Sequence, residues 1–272
     1  MTIAPEPSPT PYGRFASRPF RSDAHSRLPV FRVDSPVYER LDGAVPVSFP
    51  SVMETLAGEV RRHIEAGLPA MAEVFDVEPL ELYAILAAES EWDSAPRDNE
   101  RPYPPGFPYF TRSTDPPTLV LPEKLSSAIR PRTEATLPLT VWHELAHAFI
   151  LRNPVVKTPA WLREFIPQTA SAAVAKRERL PLEEHFGAMD RPEFTARTFR
   201  SPASAEEQMA FQNLLLRLGA AAIGEFGEGF LRRLVHALWK EEDIVGEERA
   251  EAMLAESLGD GCGAWLEGRE EF

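Results

Sequence analysis

The sequence predicts an α+β fold: a small, partly antiparallel sheet packed on one central helix, followed by a helical C-terminal lobe. Three observations carry this. Short apolar runs with strand character occur at 80–88 and 117–125. A well-bounded apolar helix is written over 136–150. From 203 to 258 the apolar residues recur at helical spacing with few breaks.

The elements follow in order. Residues 1–50 hold nine prolines and little periodicity, which predicts a partly flexible, proline-rich extension. At Ser51 the pattern changes. Ser51 and Glu54 have capping-box spacing, and Val52, Leu56, Val60 and Ile64 then recur as on a helix face. Gly67 and Pro69 are expected to interrupt that helix, and His63 to lie on its solvated face. "LELYAILAA" (80–88) is read either way: Tyr83 and Ile85 favour a strand, leucine and alanine a helix. Seven prolines in 95–118 predict a loop or irregular hairpin. "PTLVLPEKL" (117–125) is bracketed by prolines, which cannot donate to a ladder, so it is expected at a sheet edge.

Over 136–150, Thr136 is expected as a cap and Pro138 in the first turn, with Val141, Trp142, Leu145, Phe149 and Ile150 as the apolar stripe. Asn153-Pro154 stops it. Thr158 and Pro159 open the next helix, with a kink expected at Pro167. "GFLRRLVHALWKEE" and "EERAEAMLAESLG" supply further helices, the second ended by Gly259. The domain reading is 1–50 extension, 51–200 core region and 201–272 helical lobe.

Composition narrows the function. A net charge of −13 opposes nucleic acid as the main partner, since phosphate binding needs a basic face. It opposes an anionic membrane surface for the same reason. No apolar segment reaches the roughly 20 residues that span a bilayer. The longest, 211–223, is broken by Gln212, Arg217 and Gly219. The N-terminus shows no basic region followed by an apolar run, so no secretory signal is read. One cysteine, Cys262, excludes an internal disulfide and a cysteine-based zinc knuckle. A cytoplasmic location is the expectation.

The stretch "TVWHELAHAF" (140–149) carries the chemistry. His143 and His147 are four apart, so a helix stacks them on one face and both imidazoles can reach one ion. Glu144 is turned about 100° from His143; it is poorly placed as a ligand but can reach a water at that ion. Zinc brings the pKa of such a water near 7, and the carboxylate takes its proton. Chance alone produces H-E-x-x-H on the order of once per hundred such chains. A catalytic site needs a third protein ligand and one open position. The H-E-x-x-H-x-x-G-x-x-H extension fails, because residue 150 is Ile and residue 153 is Asn. A glutamate on the following helix is the other common answer. Glu164, seventeen residues after His147 in "PAWLREF", fits it.

"HELAHAF…PAWLREF" resembles the gluzincin group of zinc metallopeptidases, the thermolysin-like and peptidase-MA-like proteins. The resemblance spans 139–166 and implies a zincin-like fold, with an edge strand beside the motif helix and "TLVLP" in that position. It implies Zn²⁺ held by His143, His147 and Glu164, with Glu144 as general base in the hydrolysis of a peptide or protein substrate. "GEGFLRRLVHAL" looks like the family's C-terminal helical lobe. The chain departs from the pattern at Phe165, where the family commonly has Gly, and at Gln168, where an acidic residue often orients the first histidine. An amide oxygen at Gln168 can still accept an imidazole N–H. The family also stabilises the oxyanion with a Tyr or His from outside the motif helix; Tyr109, His185 and His236 are the candidates here. His185 is also a lower-ranked candidate for the third ligand.

Two other readings stand beside the enzyme. One is a zincin-like domain that holds zinc for binding or regulation without using the water. The other is a helical protein with no metal. The strand at 118–121 is read as either a site for an added peptide strand or an edge covered by the proline-rich extension. Trp142 and Trp161 are expected in the core.

Overall fold

The computed structural model describes residues 38–98, 105–153, 155–190, 192–199 and 201–272. The first 37 residues of the expected extension lie outside them. Residues 38–50 are ordered as strands: β1 (Tyr38–Leu41) and β2 (Val47–Pro50) form an antiparallel pair. The remaining strands are β3 (Tyr83–Ala87), β4 (Tyr109–Thr111) and β5 (Thr118–Pro122). Their order is β1-β2-β3-β5-β4, with β2/β3 and β3/β5 parallel and β5/β4 antiparallel. The ambiguous 80–88 run is therefore a strand. It crosses the middle of the sheet, which explains why four of its five residues are buried.

The expected edge strand is corrected. β5 pairs on both sides and all five of its residues are buried. The outer strand next to the motif helix is β4, three residues drawn from the proline-rich stretch. Its shortness hid it, because three residues cannot show a period.

Ser51 does not cap a helix. Ser51–Met53 form a 3₁₀ turn, and α1 runs Glu54–Phe75 without a side-chain cap. It passes through Gly67 and Pro69 unbroken and ends at Asp76 in the left-handed region, φ 55°. Tertiary packing overrides the breakers: Val60, Ile64, Met71 and Phe75 are all fully buried. His63 is half-buried, edge-on to Trp142 at 6.1 Å, and its backbone carbonyl accepts from Trp142 Nε1 at 2.8 Å.

α2 (Thr136–Ile150) begins where expected, but Thr136 does not cap it. Its hydroxyl donates to the Pro131 carbonyl at 2.6 Å and accepts from the Thr133 N–H at 2.9 Å, fixing the loop that leads in. α3 (Ala160–Arg177) starts after Pro159 and runs through Pro167. The helical C-terminal part is α4 (Glu183–Gly187), α5 (Ala205–Phe226), α6 (Gly229–Leu238), α7 (Glu247–Leu258) and α8 (Cys262–Glu267). α7 ends at Gly259 with φ 92°, as the sequence suggested.

One core joins the sheet's inner face to these helices. Trp142 and Trp161 are both 2% exposed within it. α3 lies between α2 and α5. The α3–α5 contact is close because residue 219 is glycine: a Cβ there would stand 2.9 Å from Thr169 Cα, nearer than side chains approach. This close packing brings polar groups of α5 over the residues that α2 and α3 present. No helix among the described residues is long and apolar enough to cross a membrane.

Candidate metal centre

α2 presents His143, Glu144 and His147, and α3 presents Glu164. Helical spacing brings the two imidazole centroids to 4.8 Å at 83°. The Nε2 atoms of His143 and His147 are 3.2 Å apart. Glu164 Oε2 lies 3.4 Å from the first and 3.5 Å from the second. These three form the only described group of His, Cys, Asp or Glu whose donors converge closely enough to hold an ion. An ion with tetrahedral bonds of 2.0–2.1 Å separates its ligand atoms by about 3.3–3.4 Å. The observed triangle matches, and the donor set of two imidazoles and a carboxylate suits zinc. Glu144 Oε1 is 4.0 Å from His143 Nε2, beside the triangle but outside it.

Burial sets the electrostatics. All four side chains are 11–18% exposed. Burial pushes the Glu144 carboxyl above its ordinary range, against the pull of His143 and His147; a backbone hydrogen bond from Phe110 on β4 also pulls it down. For Glu164, burial would raise the pKa, but the bonds to both histidines outweigh it and hold the carboxyl well below its usual range. Burial pushes His147 down, but Glu164 and Glu144 together push it up further, so its pKa is raised.

Gln168 is not placed as the family pattern implies. Its Nε2 donates to Gln212 Oε1 at 2.7 Å, and Gln212 Nε2 donates to Glu164 Oε2 at 2.9 Å. Both amides are buried. The relay therefore orients the carboxylate rather than His143, whose Nδ1 is buried with no hydrogen-bond partner. Gln212 was legible only as a break in the apolar 211–223 run. A polar residue in a stripe that must be buried was the available signal, but what it faces depends on α5 docking on α3. If the triangle holds zinc, replacing Gln212 with Leu is expected to weaken that binding by about 10- to 100-fold, read by chelator competition, since such partners contribute that much elsewhere.

The oxyanion candidates separate. Tyr109 lies on β4 and lines the cleft of the metal group, but its hydroxyl donates to the Pro96 carbonyl at 2.9 Å and its ring packs edge-on to Trp92 at 5.4 Å. It belongs to a small cluster with Val120, while Leu119 and Leu121 join the main core on the other face. His236 is remote: its Nε2 bonds the Phe75 carbonyl at 2.9 Å, and it lines a different cavity with Arg232 and Arg233. α6 packs that face on α1, which the linear pattern could not show. His185, on α4, also lines the cleft of the metal group, and its Nδ1 is 2.7 Å from Thr133 Oγ1. It is not one of the three converging donors.

Burial lowers the His185 pKa from 6.5 to about 4. The unfolded chain then binds a proton that the folded chain refuses, so stability falls as pH drops from 6.5 towards 4. Thermal melts at pH 7 and pH 4.5 should show a larger drop for the parent than for His185→Gln. The difference is on the order of 2 kcal/mol after allowing for solvent at the cleft wall.

No family model matches the sequence, and a search of curated proteins finds no match. Among solved structures, the chain is similar to yeast LTA4 hydrolase, determined in complex with bestatin, with a TM-score of 0.49 at 10% identity. The match covers 86% of this chain and 38% of that one, so the chain spans well under half of that protein's length.

Proposed function

We propose that the protein is a zinc-dependent peptidase. The observation that carries this is the triangle of His143, His147 and Glu164 donors at 3.2, 3.4 and 3.5 Å, with Glu144 at its margin. His143, His147 and Glu164 would hold Zn²⁺. When bound, zinc supplies a Lewis acid that polarises a carbonyl and acidifies a water. Glu144 accepts that water's proton as it attacks the carbonyl carbon, then delivers the proton to the departing amine nitrogen. Gln212 keeps Glu164 turned to the histidines. A peptide as substrate is supported by β4, a strand beside α2 that pairs on one side only among the described residues. It is also supported by the "HELAHAF…PAWLREF" resemblance.

A second reading, a metal-holding domain that does not hydrolyse, is favoured by one observation: His143 Nδ1 has no partner to strengthen it as a ligand. Purified protein, prepared without chelator, should carry about one zinc per chain and cleave a mixed peptide library. Absence of zinc sinks both readings; zinc without cleavage leaves the second.

A further inference from the structure

The proposed active site opens into a cleft of about 1080 Å³. In a chain of net charge −13, its wall is cationic apart from the catalytic group: Arg112, Arg130 and Arg163 line it against a single further carboxylate, Asp98. Asp98 is already engaged, accepting from Thr111 Oγ1 and the Arg112 N–H, both at 2.8 Å. The arginine head groups rest on other acceptors. Arg112 donates to the Leu151 carbonyl at 3.0 Å and Arg130 to the Ser127 carbonyl at 3.0 Å. Among the described residues, the one carboxylate within 4 Å of any of the three is Glu164, 3.4 Å from Arg163. Elsewhere, Arg177, Arg197 and Arg249 each pair with a carboxylate. Arg130 also feels the exposed Glu206.

Arg112 and Arg163 sit towards the same end of α2. The first reaches the carbonyl just past Ile150, and the charge of the second acts on His147, in the last turn of α2. Zinc's two positive charges are offset by Glu144 and Glu164, so the arginines leave the cleft net positive. From this geometry we infer that the cleft selects substrates bearing a carboxylate, which pairs with Arg112 and Arg163 at the Leu151 end. The inference rests on the peptidase reading for its substrate being a peptide. A guanidinium bound to a carbonyl keeps further N–H donors for a carboxylate, and its planar fork suits one.

Binding tests this without relying on turnover. The full chain carrying Glu144→Gln, loaded with zinc, is titrated with fluorescent peptides that differ only as Glu or Gln, each with a free or amidated C-terminus. The acidic peptide should bind about five- to tenfold more tightly, with the margin shrinking as salt is raised. Arg112→Gln should remove most of that margin, Arg112→Lys keep part of it and Arg112→Glu reverse it. Thermal melts exclude misfolding, and Arg163→Gln provides an independent loss of charge. A margin that follows the side chain assigns the pocket to acidic residues. One that follows the free terminus assigns it to chain ends, and both uphold carboxylate recognition. Equal affinities, or a margin indifferent to both arginines, overturn it. Selective binding by a zinc-loaded parent that cleaves nothing overturns the peptidase reading alone.

Discussion

Glu144→Gln should lower kcat/KM for peptide cleavage by about a thousandfold while zinc content stays near one per chain. General base catalysis by a positioned side chain contributes about 10²- to 10⁴-fold. The substitution keeps shape and removes proton affinity. The carboxylate it replaces is 4.0 Å from the nearest imidazole nitrogen, outside the donor triangle. The three ligand atoms belong to other side chains and should be undisturbed. The measurement pairs steady-state cleavage of a quenched peptide with metal analysis of the same preparation. A variant that cleaves at the parental rate would show that Glu144 is not the base. A variant that loses zinc along with activity would place Glu144 among the ligands, against the observed distances.

The second large effect is at Glu164. Glu164→Ala should weaken zinc binding by more than about 100-fold, beyond what loss of a supporting partner costs, and cleavage should fall with it. The carboxylate supplies the only negative charge in the triangle and the only donor outside α2. Its removal also leaves the Gln212 amide buried without its acceptor, at a cost of about 1–3 kcal/mol in stability. Competition with a chromophoric chelator reads the first quantity, and a thermal melt of the metal-free protein reads the second. Zinc affinity within a few-fold of the parent would remove Glu164 from the proposed ligand set, and with it the arrangement on which the proposed function rests.

Much of the site could be read before any fold was known. His143, Glu144 and His147 share one helix, so their relation follows from 3.6 residues per turn. Glu164 required one further step, that the next helix folds back on the first. Gln168 shows where this reasoning stopped. The family resemblance implied a partner for His143 at this position, yet the side chain meets Gln212, 44 residues away on another helix. Tyr109 and His236 were chosen by residue type alone; the first lines the cleft with its hydroxyl already bonded to the Pro96 carbonyl, and the second bonds the Phe75 carbonyl on α1, away from the cleft.

Strand order was beyond the sequence for a related reason. "TLVLP" carries prolines at both flanks, an edge-strand signature. β4 nevertheless pairs beyond it, through only three residues. The short motif therefore determined how His143, Glu144 and His147 sit relative to one another, because a single helix is rigid and its geometry local. Tertiary structure decided what supports those atoms and what surrounds them: the Gln168–Gln212 relay and the arginines of the cleft. Each depends on close contact between elements far apart in the chain, and burial there is settled by the packing of whole faces rather than by neighbours in sequence.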